Sequence, residues 1–214
     1  METNLKGLSD QEIIELLLSL VLPRQKCKRL AKDYIKHFKD LSGFLAASEQ
    51  ELERVGITPP CIFCIKLLHE LPSEILKQKI IDKPIYESSS KIFDYLRYSM
   101  QDLKKEVFKA IYLDRRNQII DAEDLFVGTL DSVPIHPREI VESAINHHAA
   151  AVIFAHNHSS GDPGPSKTDR KLTRDLVFVG MVVQIRVLDH IIIGGNTYHS
   201  FADDDVLKNV KMNS

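Results

Sequence analysis

The chain has 214 residues, 43% of them hydrophobic and 27% charged, with a formal net charge of −2. That suits one large or two small domains with a real core, and it excludes global disorder. The near-neutral balance excludes a global pull towards nucleic acid. Three cysteines exclude a fully paired secreted scaffold, and no apolar run nears the ~18–20 residues of a membrane span.

Met1 leads into acidic and polar residues, which does not read as a secretory signal, so the expected location is cytoplasmic. Ser9 and Glu12 then fit the cap and third helical position of a capping box. Ile13, Leu16, Leu17 and Leu20 share one face of the helix that follows, and Pro23 ends it. A second helix carries Leu30, Ala31, Tyr34, Ile35 and Phe38 as its apolar stripe. Gly43 and Ser48 punctuate the next turns, and Pro59-Pro60 and Pro72 bracket a helix with Ile62, Ile65, Leu68 and Leu71. Residues 1–80 therefore read as a helical domain. The polar, turn-rich stretch 81–90 reads as a linker.

From residue 91 to 214 the pattern becomes α/β. Ile92, Phe93, Tyr95 and Leu96 suggest a helix. Residues 106–113 alternate as a strand, Arg115-Arg116-Asn117 form a turn, and 118–129 make a second strand. Pro137 opens a helix to about Ala149, and 150–155 form a buried strand. After a Gly/Pro loop come a helix over 166–180 and two strands, 182–188 and 191–194. No repeat or low-complexity tract is present.

The strongest chemical signal follows the buried strand. His156 and His158 lie two residues apart, so strand alternation puts both on one side. The turn Gly161-Asp162-Pro163-Gly164-Pro165 reverses the chain, Ser166 can cap the next helix, and Asp169 sits one turn in. Two imidazoles and a carboxylate suit zinc and leave a fourth position for water, an arrangement of catalytic rather than structural sites. Taken singly, the same residues read as a strand-end histidine, a helix cap and a first-turn acid.

The pattern H-x-H, seven residues, Ser, two residues, Asp resembles the JAMM motif of MPN+ metalloproteases. The longer string, with Val133-Pro134-Ile135-His136-Pro137-Arg138-Glu139 before it and Leu188-Asp189-His190-Ile191-Ile192-Ile193-Gly194 after it, is similar to the RadC family. Leu8-Ser9-Asp10, Glu51-Leu52 and Val55-Gly56 resemble that family's helix-hairpin-helix-like module. The resemblance implies a mixed sheet flanked by helices, preceded by a small all-α domain. It implies one Zn2+ held by His156, His158 and Asp169, with Ser166 bonding the developing oxyanion. It also implies Glu106 as general base, with Glu123 as the competing glutamate in a polar strand edge. The activity implied is zinc-dependent hydrolysis of a peptide or isopeptide bond in a protein or peptide substrate. The alternative is a DNA-associated repair or replication accessory protein whose metal domain is structural or acts on nucleic acid. Two departures stand out: Ser159 follows His158 where the family usually has proline, and Pro59 and Pro60 offer no N–H in the hairpin turn.

Other features are weaker. Cys61-Ile62-Phe63-Cys64 is a CxxC in an apolar helical run, where cysteine acts as a small hydrophobe. Lys26, Lys28, Arg29, Lys32 and Lys36 make a basic helix that could meet DNA phosphates or simply be solvated. His147 and His148 read as helix-end residues. His136 and His190 are candidates to orient metal ligands or to pack.

Overall fold

The computed structural model describes residues 5, 7–100, 103, 105–128 and 136–203, without the side chains of 86–90. The resembling segment Val133-Pro134-Ile135 and residue 129 lie outside the described residues. The chain separates into two compact units, residues 1–72 and 73–214.

The first unit is helical. It holds α1 (Asp10–Leu18), α2 (Arg24–Phe38), α3 (Leu41–Ala46), α4 (Glu49–Arg54) and the start of α5 (Pro59–Ile80). Ser9 and Glu12 close the expected capping box, and Ser48 and Glu51 form a second. Asp40 caps α3 by accepting from the Gly43 N–H at 2.7 Å. The buried face of α1 is Ile14, Leu17 and Leu18, whereas Leu16 and Leu20 are exposed. Apolar residues stand at most positions from 13 to 22, so periodicity allowed more than one face, and packing on α2 selected this one. Cys27 and Cys61 sit unpaired in the core with Phe44, Leu52 and Ile65.

The second unit contains the rest of α5, then α6 (Ile85–Met100), β1 (Val107–Leu113) and β2 (Ile119–Val127). After these come α7 (Pro137–Asn146), β3 (Ala151–Asn157), α8 (Lys167–Val182), β4 (Arg186–Gly194) and β5 (Thr197–Ser200). The sheet order is β2-β1-β3-β4-β5, with β3/β4 parallel and the other pairs antiparallel. Every residue of β1 and β3 is buried, because both faces of these strands are covered. One face carries Val107, Ile111, Ile153 and Ala155 with Ile92, Leu96 and Met100 of α6. The other carries Phe108, Ala110 and Phe154 with Ile140 of α7 and Leu176 of α8. This is the expected mixed sheet flanked by helices behind a helical region.

Several sequence expectations shift. The expected domain edge at residue 80 and linker over 81–90 do not coincide with the observed division, which falls at Pro72 inside α5. Pro72 does not end its helix. Residues 85–90 belong to the first turns of α6, because Ile92, Tyr95 and Leu96 bury that helix against the sheet. The two strands expected over 182–188 and 191–194 are one strand, β4, continuous through Asp189 and His190. Both polar side chains are accommodated there by internal hydrogen bonds.

Candidate metal centre

The site is built where β3 runs out. Parallel pairing with β4 continues one step past the strand, with the His158 N–H donating to the Ile193 carbonyl at 2.9 Å. The chain then turns at Gly161, whose φ of +80° favours glycine. The returning loop presses on the end of β4: a Cβ on Gly194 would lie 2.4 Å from the Pro163 nitrogen. Only a residue without a side chain lets the loop close down here. Asp162 orders the turn by accepting the Gly164 N–H at 2.9 Å.

Ser166 caps α8, and Asp169 completes its capping box. The Asp169 N–H donates to Ser166 Oγ at 3.1 Å, and the Ser166 N–H donates to Asp169 Oδ2 at 2.7 Å. The same cap aims the carboxylate back at β3. His156 Nε2 lies 3.3 Å from Asp169 Oδ1, and His158 Nε2 lies 3.3 Å from Oδ2. The two Nε2 atoms are 3.1 Å apart. His156 and Asp169 are buried and His158 is partly exposed, so the cluster is open on one side.

These three donors fit a zinc ion. With bonds of ~2.0–2.1 Å, the edges of a zinc tetrahedron are about 3.3–3.4 Å. His158 Nδ1 lies 2.7 Å from the Asp162 carbonyl, which can only accept. Nδ1 therefore carries a proton, and a neutral His158 turns the lone pair of Nε2 to the cluster. Among the described residues this is the group of histidine, cysteine and acidic side chains gathered closely enough for a metal.

The electrostatics follow from burial and pairing. Burial would push the Asp169 carboxyl up, but the two imidazoles beside it, which attract it whenever they take up a second proton, and the Ser166 cap hold it far below the usual carboxylate range. Burial pushes His156 below the usual imidazole value despite Asp169. The Asp169 carboxylate beside His158 favours its protonated form and raises it, and its lesser burial opposes this only in part. The charge of Glu106 acts on both imidazoles in the same direction as Asp169.

Strand register explains that influence. Phe108 pairs with His156, so continuing the antiparallel ladder sets residue 106 opposite residue 158 on the same face. The Glu106 main chain is held on both sides. Its carbonyl accepts the Gly128 N–H at 2.8 Å, while the Asn157 side chain grips its neighbours. Asn157 Oδ1 accepts the Val107 N–H at 2.8 Å, and Nδ2 donates to the carbonyls of Lys105 and Leu103 at 3.1 and 3.4 Å. Nothing in the pattern singles out Asn157 except its place between the two histidines.

Glu123 is engaged elsewhere. The hydroxyls of Tyr112 and Ser143 both reach its Oε1, Tyr112 at 2.6 Å. His147 ends α7 and stacks on Tyr112 at 4.1 Å. His136 stands at the N-cap of α7 without a side-chain cap bond. His190 is fully buried beside this cluster, its Nε2 2.8 Å from His156 Nδ1. In the first unit, Lys26, Lys28, Arg29, Lys32 and Lys36 are all exposed, opposite the buried Cys27, Ala31 and Tyr34.

Residues 86–206 match the RadC-like JAB domain family. The chain is 37% identical to a UPF0758 protein of Pseudoalteromonas translucida, over 95% of this chain and 91% of that one. A UPF0758 protein of Dechloromonas aromatica is 40% identical over 94% of this chain and 90% of its own. One from Fusobacterium nucleatum is 37% identical over 94% and 90%.

Proposed function

The chain belongs to the RadC family, and from that premise we propose that it is a zinc-dependent hydrolase of peptide or isopeptide bonds. The observation that carries this reading is the convergence of His156 Nε2, His158 Nε2 and the Asp169 carboxylate beside the segment that holds Glu106. His156, His158 and Asp169 hold the metal. The family's usual metal is zinc, and the nitrogen and oxygen donors suit it. Zinc held there supplies Lewis-acid polarisation of a carbonyl and brings the ionisation of water towards neutral pH.

The chain's own groups supply the rest. Glu106 takes a proton from the attacking water and returns it to the leaving amine. Its carboxylate acts electrostatically on both imidazoles, which supports placing it at this site. Ser166 Oγ accepts from the Asp169 N–H and, as a hydroxyl, can donate its proton to the developing oxyanion. Asn157 keeps the Glu106 segment from drifting along the strand edge.

The test begins with metal content. Purified protein should hold about one zinc per chain, and His156→Ala/His158→Ala should hold none. The loaded protein is then assayed on a peptide library and on isopeptide-linked lysine substrates, with Glu106→Gln as control. Hydrolysis by the wild type that Glu106→Gln abolishes, while keeping zinc, supports the reading. A zinc-loaded wild type that cleaves nothing in either set counts against it.

The exposed basic face of α2 favours a second reading, in which the first unit meets nucleic-acid phosphates. Binding of duplex DNA that weakens steeply with added salt, and less steeply in Lys28→Ala/Lys32→Ala, would support it. No binding at low salt would end it. No helix among the described residues is long and apolar enough to cross a membrane.

A further inference from the structure

His190 is a polar side chain at 0% exposure, boxed in by aromatic rings of the second unit. Phe201 stacks on its ring at 5.3 Å, and Phe108 and Phe154 meet it edge-on at 5.6 and 6.5 Å. Aromatic packing on three sides fixes the plane of the ring. Both its nitrogens are engaged: Nε2 lies 2.8 Å from His156 Nδ1, and Nδ1 lies 2.7 Å from Thr173 Oγ1. Thr173 is also fully buried, and its hydroxyl donates to the Asp169 carbonyl at 2.7 Å.

The directions of these bonds follow from one fact. A carbonyl only accepts, so the single hydroxyl proton of Thr173 is spent on Asp169. Towards His190, Thr173 Oγ1 is then an acceptor, and His190 Nδ1 carries the proton. An imidazole fully buried among three phenyl rings holds one ring proton. Its Nε2 is therefore a lone pair and accepts from His156 Nδ1. The proton of His156 is thereby placed on Nδ1, and its Nε2 faces the cluster bare.

We propose that Thr173 and His190 are positioning residues that set the tautomer of His156, keeping its Nε2 open for the metal. The alternative tautomer would be harmful. With its proton on Nε2, His156 would donate to Asp169 Oδ1, already 3.3 Å away, and two of the three donors would neutralise each other. The relay starts and ends on metal-binding residues, His156 on β3 and the main chain of Asp169 on α8. It thus ties the strand and the helix that carry the ligands. The inference rests on the metal reading above for its purpose, but the tautomer itself is a property of the metal-free protein.

The experiment has two arms. Long-range 1H–15N spectra of the 15N-labelled, metal-free wild type report which nitrogen of His156 is protonated, and Nδ1 is expected. Chelator competition then measures zinc affinity in wild type, Thr173→Val, His190→Phe and His190→Gln, with thermal unfolding confirming the fold. Thr173→Val and His190→Phe should bind zinc about 10- to 100-fold more weakly, and His190→Gln, which can still accept and donate, should recover most of the loss. A folded Thr173→Val with wild-type affinity, or a wild-type His156 protonated on Nε2, overturns the proposal. If His190→Phe does not fold, Thr173→Val and the wild-type spectra decide. If even the wild type binds no zinc, the metal reading fails while the tautomer still decides the relay.

Discussion

The second unit carries two clusters of histidine and carboxylate on one sheet, and they differ in where their protons lie. Around Glu123, each carboxylate faces a donor. Tyr112 and Ser143 offer hydroxyls to Glu123, and the Lys77 ammonium lies 2.6 Å from Asp121. Burial would raise the Glu123 carboxyl, but the two hydroxyls outweigh it and hold it below its usual value. Around Asp169, the carboxylate faces two imidazole nitrogens whose lone pairs are turned inward by Asp162 on one side and His190 on the other. The first cluster is complete without a ligand. The second, with the proposed proton positions, leaves a centre that a cation would fill. Residue types alone do not separate them; the hydrogen-bond directions do.

The largest expected effect breaks the second cluster. His156→Ala/His158→Ala should lose zinc entirely, by metal analysis, while Glu123→Gln keeps the wild-type content. Next comes the choice between the two glutamates. Glu106→Gln should lower hydrolysis by about 10²–10⁴-fold with zinc retained, whereas Glu123→Gln should leave turnover near wild type. The reverse result would move the general base to Glu123.

Asn157→Ala sharpens the contrast further. It strands the buried Val107 N–H and two carbonyl partners, so denaturant unfolding should show a loss of about 3 kcal/mol. Turnover should fall in the folded variant while zinc stays bound. Unchanged turnover would show that the Glu106 segment needs no such clamp.

The smallest effect lies at Glu123. Its side chain is 37% exposed, so Glu123→Gln should cost below about 1 kcal/mol at neutral pH. Its folded pKa is depressed, so its contribution is full above the ordinary glutamate value of 4.5 and fades as pH falls through the lower folded value. Stability measured from pH 6 downwards should therefore decline less steeply in Glu123→Gln. A parallel decline would mean that Glu123 is not held by its hydroxyl partners.

Much of this was legible beforehand for identifiable reasons. The capping box at Ser9 and the cap at Ser166 are local, set by residues three apart, and both formed. β1 announces itself by alternation and β3 as an apolar run. His156, His158 and Asp169 could be grouped because the two histidines share one strand end and only a loop and one helical turn precede Asp169. The linker was misread because polar composition says little when Ile92, Tyr95 and Leu96 downstream can bury a helix. Pro72 does not stop α5, which runs from Pro59 to Ile80, because one proline removes only a local backbone bond.

The sequence by itself determined the short-range pieces: the caps, the strands, the turn at Gly161 and the spacing that brings two imidazoles and a carboxylate together. Only the tertiary structure decided which partners each imidazole meets and that Glu123 is engaged by Tyr112 and Ser143. Those depend on His190, Thr173, Asn157 and Tyr112, partners brought together by strand pairing and helix packing. A hydrogen bond is directional and forms only once both partners are in place, so its direction is settled by the fold and not by spacing along the chain.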